Sequence, residues 1–350
     1  MKGGEEGKCD IRELQLLTNL LYEKSTPLEW FYPPIGKIAS FSLRNEMAKV
    51  ISRKDYDKNL SIFLAKHPGY KNDVPDYGQF MEAFFCAGVL PMTEAEKFLK
   101  SLAKSRNTFH GGKPFWIGYD TSALRRSFYS NIINFLQSEK LDNSIGHVVV
   151  EGVVEEIMQG MDQKYKSRKV AELAKGFPEA SNFLNQPGLS GRLHRIGMAE
   201  IKSMKNEIVY HEHSSKKGDM EIIKGYEDFE SDRNAEVLLF SADKNFVEMA
   251  VQKSLKTQYL DYSIFNVNER LRASPVSLDI VSRILYYGTM VFGMTRLSGV
   301  DLYSIWRGKD VEDWNQGYIK VNVKGTLAKP FRKAHGALKD MKESGYLSLA

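Results

Sequence analysis

The middle of the chain alternates between short apolar runs and stretches with helical periodicity. Runs rich in β-branched and aromatic residues at 115–119, 146–150 and 236–240 predict buried strands, and 257–260 predicts a closing strand. Between these runs apolar residues recur every three or four positions, most clearly at Leu124, Phe128, Ile132 and Leu136. Similar helical series begin at Val154 and at Phe246, and a third follows Asp219. Strands that alternate with helices indicate an α/β domain with a parallel sheet, which we place at residues 109–265.

The two flanking regions show weaker patterns. Residues 1–108 are predicted to be mostly helical, because Thr93–Glu96 has the form of a capping box and apolar residues follow it at helical spacing. The prolines of this region are interpreted as breaks between helices: Pro33, Pro34, Pro68 and Pro75. Residues 266–350 are predicted to form a small α+β region, in which Ile284–Thr295 is a buried helix too short to span a membrane.

Length and composition are those of an ordinary globular protein. The 350 residues suit two or three domains, and 42% hydrophobic with 27% charged residues excludes disorder on a large scale. The net charge of +5 permits a polyanionic partner without requiring one. Two cysteines, Cys9 and Cys86, form no disulfide framework, and the N-terminus lacks the apolar run of a signal peptide. We therefore expect a cytoplasmic protein without a membrane contact.

Three basic segments are candidates for contact with nucleic acid. They are Lys164, Lys166, Arg168 and Lys169 around Tyr165; Arg192, His194 and Arg195; and the C-terminal helix with Arg332 and Lys333, whose apolar face is predicted to be Phe331, Ala334, Leu338 and Met341. Basic residues next to aromatic rings suit single-stranded nucleic acid, because charge follows the backbone and rings stack on bases. An ordinary solvated helix face is the alternative explanation.

Acidic residues follow two of the predicted strands directly. Asp120 comes after the first strand, and Asp243 comes after the strand at 236–240. If these strands are neighbours, both acids face one crevice at the carboxyl ends of the strands. Glu155 and Glu156 lie in the helix after the second strand, and Asp219 opens the next helix. Clustered carboxylates repel one another unless a hard cation such as Mg²⁺ neutralises them, although each aspartate could also be a simple N-cap.

At this point the sequence resembles the PIN-domain nucleases. The segment Ile117–Leu124 is similar to their opening strand and helix, which read Asp-Thr-Ser or Asp-Thr-Asn. Val153–Ile157 is similar to their second motif, and Ser241–Phe246 is similar to their late motif, usually Thr-x-Asp-Arg/Lys. Gly218–Ile222 resembles the segment around the aspartate that precedes the late motif. The resemblance covers about residues 113–262 and is closer to larger archaeal PIN proteins than to compact toxins.

The resemblance implies a PIN-like fold and a four-carboxylate site for Mg²⁺ or Mn²⁺. Carried over by motif, the metal-binding and catalytic acids are Asp120, Glu156, Asp219 and Asp243. Ser122 matches the small polar residue that holds the first acid, and Ser241 stands in place of the usual threonine. Glu155 stays open as an alternative to Glu156, and Asp228 or Asp232 as an alternative to Asp219.

The expected function is a divalent-metal-dependent endoribonuclease that acts on single-stranded or structured RNA. Assembly as a homodimer is kept open. Two alternatives are a non-catalytic RNA-binding scaffold with the same fold and a flap-type DNA nuclease; a toxin role is a third within the nuclease class. The triplet His211-Glu212-His213 is interpreted as a polar loop or strand edge, since zinc would need further ligands and none is placed.

Overall fold

A computed structural model of the chain describes residues 5–23, 27–89, 95–100, 113–140, 145–204, 207–210, 218–261, 266–273 and 276–345. The chain divides into two compact units. The first, here called the antiparallel unit, consists of Met1–Val89, Lys164–Arg192 and Phe265–Ala350. The second, called the parallel unit, consists of Leu90–Gln163 and Leu193–Ile264. This grouping differs from the three consecutive regions expected from the sequence, because residues 164–192 join the two ends of the chain.

Strands and helices alternate along much of the described chain. The strands are β1 (Glu5–Cys9), β2 (Leu28–Tyr32), β3 (Gly36–Ser42), β4 (Met47–Val50), β5 (Phe115–Tyr119), β6 (Ile145–Val150), β7 (Glu207–Tyr210), β8 (Glu236–Ser241), β9 (Lys256–Tyr259), β10 (Met294–Leu297), β11 (Val300–Tyr303) and β12 (Ile319–Val323). The α-helices are α1 (Ile11–Tyr22), α2 (Arg53–Lys66), α3 (Tyr77–Cys86), α4 (95–100), α5 (Thr121–Leu124), α6 (Phe128–Ser138), α7 (Glu151–Met161), α8 (Ser167–Gly176), α9 (Leu189–Ser203), α10 (Asp219–Arg233), α11 (Lys244–Gln252), α12 (Val267–Ala273), α13 (Leu278–Phe292), α14 (Val311–Asn315) and α15 (Ala328–Glu343).

The antiparallel unit is built on a seven-stranded sheet in the order β1-β12-β11-β10-β2-β3-β4. Residues alternate between buried and half-buried along β2 and β12, as expected for strands with one face against a core. The core centres on Trp30, which has no exposed surface and packs against the rings of Phe41, Phe80 and Phe292. Helix α13 contacts α1 and α3 and supplies Phe292 to this cluster.

The expectation of a mostly helical N-terminal region is wrong for its first half. Residues 5–50 contain four strands, β1 to β4, together with α1. The missed signal is the period of two in β2, where Leu28, Trp30 and Tyr32 are buried in alternation. The prolines that follow β2 form the tight turn to β3, in which the Ile35 amide donates to the carbonyl oxygen of Tyr32 at 2.9 Å. Two prolines there mark a hairpin, not a break between helices.

The predicted helix at Ile284–Thr295 is confirmed as far as Phe292. Gly293 then adopts a positive φ of 81° and ends α13, and Met294 and Thr295 belong to β10. No helix among the described residues is both long and apolar enough to span a bilayer.

The parallel unit contains a five-stranded parallel sheet in the order β7-β6-β5-β8-β9. The four strands predicted in the middle of the chain are confirmed as β5, β6, β8 and β9, whereas β7 was not predicted. The chain starts in the central strand β5, moves outward through β6 to β7, and returns to the other side of β5 with β8. The strand order therefore reverses at β5 and β8, the position where open α/β sheets place their binding crevices.

Candidate active site

Two aspartates lie at the carboxyl ends of the adjacent strands β5 and β8. Tyr119 is paired with Phe240 in the sheet, and the Asp120 amide extends the ladder by donating to the carbonyl oxygen of Phe240 at 3.0 Å. Asp120 is the N-cap of α5 and is only 5% exposed, whereas Asp243 is the N-cap of α11 and is exposed. The two acids therefore face the same edge of the sheet, as the strand order required.

Two serine hydroxyl groups tie the two acidic turns together. Ser241 Oγ donates to Asp120 Oδ2 at 2.7 Å and accepts from the Asp243 amide at 2.9 Å. Ser122 Oγ donates to the same carboxylate oxygen at 2.6 Å and accepts from the Ala242 amide at 2.8 Å. Each hydroxyl group has one proton, which it donates to Asp120. Its oxygen accepts a hydrogen bond from an amide in the turn between β8 and α11. This network fixes the orientation of the buried carboxylate.

Glu156 and Asp219 complete the acidic set. Thr121 Oγ1, one residue after Asp120, donates to Glu156 Oε2 at 3.0 Å. Partial burial raises the pKa of Glu156 above its usual value, and the carboxylates of Asp120 and Asp219 raise it further. Partial burial also raises the pKa of Asp219, and the carboxylates of Asp120 and Asp243 raise it further. Asp120 thus contributes to the electrostatic environment of both Glu156 and Asp219, and Asp243 contributes to that of Asp219.

The positions of the alternative acids differ from this set. Glu155 and Glu156 are both exposed on α7, and it is Glu156 that accepts the hydrogen bond from Thr121. Asp232, near the end of α10, accepts a hydrogen bond from Tyr210 Oη at 2.5 Å, and Asp228 influences the pKa of the same tyrosine. The hydrogen bond from Thr121 favours Glu156 over Glu155, and the effect of Asp219 on the pKa of Glu156 favours Asp219 over Asp228 and Asp232.

All four candidate ligands are carboxylates, the oxygen donors that Mg²⁺ prefers. Among the described residues, the three side chains with ligand atoms all within 4.8 Å of one another are Cys9, Glu13 and His335, so no three of the four acids are as close as that. Mg²⁺ is usually held by one or two carboxylates and keeps several of its waters, through which other acids can reach it. An all-oxygen donor set with mutual repulsion is the chemistry that such an ion requires.

A tyrosine beneath the crevice supports β5, and sequence reasoning missed its role. Tyr226 Oη donates to the Tyr119 carbonyl oxygen at 2.7 Å and accepts from the Tyr119 amide at 3.1 Å. The approach needs Gly118, because a Cβ there would lie 2.8 Å from the Tyr226 ring. The pattern from Asp219 onward predicted a helix here, and the hydroxyl group of Tyr226 gave no separate signal.

The predicted basic segments are only partly available for nucleic acid. Lys164, Lys166 and Arg168 are exposed, but Tyr165 is 6% exposed and packs against Phe183, so its ring is not open to stack on bases. Lys169 pairs with Asp73 at 2.8 Å and also donates to the Gly69 carbonyl oxygen.

Arg192 corrects the second basic segment. Its side chain is 1% exposed, and its guanidinium group donates to the Met290 and Val291 carbonyl oxygens, both at 2.9 Å. These carbonyl groups belong to the last turn of α13, where the helix has no backbone amide left to donate to them. Arg192 therefore caps a helix and does not contact nucleic acid.

On α15 the predicted basic residues Arg332 and Lys333 are exposed. The predicted apolar face holds at Phe331, which is fully buried, but fails at Met341, which is 46% exposed. Lys342 instead turns inward and pairs with Asp10 at 2.7 Å. The triplet at 211–213 lies outside the described residues.

Comparison of the chain with protein-family models, with curated proteins and with solved structures gives no match in any of the three.

Proposed function

We propose that the parallel unit is a divalent-metal-dependent endoribonuclease with its active site at Asp120, Glu156, Asp219 and Asp243. The observation that carries the proposal is that Asp120 and Asp243 follow adjacent strands at the point where the order of the parallel strands reverses, with Ser241 hydrogen-bonded to both turns. Glu156 joins them through Thr121, and the effect of Asp219 on the pKa of Glu156 supports its inclusion. Their mutual repulsion gives a cation a reason to bind there. The PIN-like fold, and RNA as the substrate, rest on the motif resemblance of the segments that carry these acids.

The parts of Asp120 and Asp243 in this proposal follow from their hydrogen bonds. Asp120 is a rigid ligand, because Ser122 and Ser241 hold its buried carboxylate. Asp243 Oδ1 accepts hydrogen bonds from the Asn245 and Phe246 amides in the first turn of α11. Mg²⁺ or Mn²⁺ supplies, when bound, a positive charge that polarises water and offsets the charge on the phosphate. Hydrolysis adds the water oxygen to phosphorus and breaks the bond to the ribose oxygen, which takes up a proton.

The exposed basic residues Lys164, Lys166 and Arg168, with Arg332 and Lys333 on α15, would supply affinity for the phosphate backbone that is independent of RNA sequence. Such affinity falls as the salt concentration rises, since it depends on the release of counterions. A cytoplasmic location, and a homodimer as an open assembly state, remain part of the proposal.

The test is cleavage of RNA and DNA strands of the same sequence, with and without Mg²⁺ or Mn²⁺. We expect Asp120→Asn and Asp243→Asn each to lower the rate of RNA cleavage by at least about 100-fold, the upper end of what losing an outer-shell group costs. The matched controls are Glu155→Gln on α7 and Asp228→Asn on α10, which remove neighbouring acids outside the crevice and are expected to retain the rate.

The outcomes separate the alternatives. Wild-type cleavage rates in Asp120→Asn and Asp243→Asn would refute the site. Binding of RNA without cleavage under any metal would identify a scaffold, and faster cleavage of DNA flaps than of RNA would identify a flap-type nuclease. Growth arrest on expression, relieved by Asp120→Asn, would add a toxin role.

A further inference from the structure

A second group of metal-binding side chains lies in the antiparallel unit. Cys9, Glu13 and His335 bring one ligand atom each, and these atoms all lie within 4.8 Å of one another. Cys9 is the last residue of β1, Glu13 is in the first turn of α1, and His335 is in the middle of α15. Three elements from opposite ends of the chain therefore converge on one point.

Local structure orients each of these side chains. Glu13 belongs to a capping box, in which its Oε2 accepts from the Asp10 amide at 2.8 Å, so that Oε1 faces the group. His335 stacks on Phe331, and its Nε2 lies 3.1 Å from the Lys8 carbonyl oxygen and 3.7 Å from Glu13 Oε1. Because Nε2 is the nitrogen that faces both oxygens, it would bind an ion in place of its contact with the Lys8 carbonyl oxygen.

The approach of α15 to β1 depends on a glycine. A Cβ at Gly7 would lie 3.2 Å from the Phe331 ring and 3.5 Å from His335 Cε1. A side chain at this position would require the Phe331 ring to shift by a few tenths of an ångström.

Thiolate, imidazole and carboxylate together are the ligand types of zinc and not of magnesium. Bond lengths of about 2.0–2.3 Å in a tetrahedral zinc site place ligand atoms roughly 3.5 Å apart. The ligand atoms of Cys9, Glu13 and His335 need to approach one another by about 1 Å, which small changes in the side-chain torsion angles achieve. Glu13 is 3% and His335 12% exposed, so a water molecule can reach the fourth position from the side of the imidazole.

The charges around the group balance with a divalent ion in place. Zinc binds the thiolate of cysteine and displaces its proton. Cys9 as thiolate, Glu13 and Asp10 then carry three negative charges, and the ion together with Lys342 carries three positive charges. Lys342 is also the main competitor, because its ammonium group lies 3.1 Å from Glu13 Oε1. A carboxylate oxygen has two lone pairs and can serve an ammonium group and a metal ion together.

We propose that Cys9, Glu13 and His335 form a binding site for a zinc-class divalent ion that ties β1 and α1 to α15. The site is separate in residues and in ligand chemistry from the acidic crevice, and it does not depend on the nuclease activity.

The experiment uses the full chain, freed of metal with a chelator and then titrated with Zn²⁺ or with Co²⁺, whose thiolate charge-transfer absorption reports a Co–S bond. We expect the sulfur-to-cobalt band to saturate at one ion per chain and zinc to raise the Tm; an ion bound by the carboxylates of the parallel unit would add no such band. Cys9→Ser should weaken binding at least about 100-fold and abolish the band. The matched control is Cys86→Ser, which removes the other buried cysteine and should leave binding unchanged. Asp120→Asn should also retain the ion.

Three results would overturn the proposal. One is the absence of stoichiometric binding in the wild-type chain, and another is equal binding by Cys9→Ser and Cys86→Ser, each checked for folding by circular dichroism. The third is zinc binding that occurs in the Lys342→Met variant but not in the wild-type chain, because the ammonium group of Lys342 would then be the cation that occupies this cluster.

Discussion

At Ser241 one hydroxyl group serves both acidic turns of the parallel unit. The side chain is fully buried, donates to the buried carboxylate of Asp120 and accepts from the amide of Asp243. A hydrogen bond to a charged acceptor is stronger than one between neutral groups, and an unsatisfied buried partner costs more than the bond contributes. The small residue before the late aspartate is thus a structural requirement of the acidic crevice.

Ser241→Ala is expected to lower the free energy of unfolding by about 1–3 kcal/mol, because Asp120 loses a hydrogen bond while it stays buried. Urea denaturation measures this change, and the proposed nuclease activity should fall with it. Ser282→Ala is the control, since Ser282 is also fully buried but donates only to the Leu278 carbonyl oxygen one helical turn earlier. Equal effects of the two substitutions would contradict a special role for Ser241.

Glu200 is the buried acid that responds to pH near neutrality. Burial raises the pKa of Glu200 from 4.5 to about 7, against the hydrogen bonds that it accepts from the Ser130 amide and hydroxyl group at 2.8 and 2.7 Å. A raised pKa means that the folded state holds a proton that the unfolded state releases. The contribution of this group to stability is therefore complete below pH 4.5 and is lost as the pH rises to about 7.

We expect Glu200→Gln to be more stable than the wild-type chain at pH 8 and similar to it at pH 4.5. The difference between pKa values of 4.5 and about 7 corresponds to about 3 kcal/mol at most. Urea denaturation of both proteins across this pH range measures it. A constant difference between the two proteins at all pH values would show that the carboxyl group of Glu200 does not titrate in this window.

At the scale of elements, close packing at one helix position decides how α13 sits on its sheet. A Cβ at Gly288 would lie 2.2 Å from the Trp30 ring, at the centre of the aromatic cluster. The helical glycine Gly336 on α15 has no atom within 4 Å of such a Cβ. There is thus no room for a side chain at Gly288 but ample room at Gly336, and the periodicity of the two helices does not distinguish these positions.

Gly288→Ala is expected to destabilise the protein by about 1–3 kcal/mol, because an overpacked core must move a fully buried tryptophan. Gly336→Ala is expected to stabilise it by up to about 1 kcal/mol, since alanine favours the helical backbone. Thermal unfolding of the two variants gives both signs. A loss of stability in Gly336→Ala as large as that in Gly288→Ala would contradict this explanation.

Helix boundaries show the limit of periodicity. The series Leu124, Phe128, Ile132 and Leu136 predicted one helix, and all four residues are fully buried. The structure divides this stretch into α5 and α6 at Ser127, whose φ is 52°. A left-handed residue between two helices preserves the buried face while it redirects the chain, so burial was predictable and the break was not.

At the scale of the molecule, residues 164–192 interrupt the parallel unit in sequence but belong to the antiparallel unit. Within that unit, Lys169 pairs with Asp73, Gln186 Nε2 donates to the Lys309 carbonyl oxygen, and Arg192 caps α13. The central region taken from the sequence, 109–265, therefore contains a segment whose partners lie at both ends of the chain.

A fragment of residues 113–261 would leave this segment without its partners. We expect proteases to cut the fragment first within 164–192, whereas the full chain resists cleavage there under the same conditions. Tyr165, Phe177 and Phe183, all buried in the full chain, mark the surface that loses its cover. Limited proteolysis with mass spectrometry locates the first cuts. Equal resistance of fragment and full chain would show that the central region folds by itself.

Local sequence patterns predicted four of the five strands of the parallel unit and the acids that follow β5 and β8, because burial on one face and capping of a helix leave a period or a residue type in the chain. Three features became visible only in the folded chain: β1 pairs with β12, β2 pairs with β10, and Arg192 is buried. Strand pairing joins backbone groups, which are the same in every residue, and the burial of a charge depends on which distant surface meets it. Neither leaves a local pattern in the sequence.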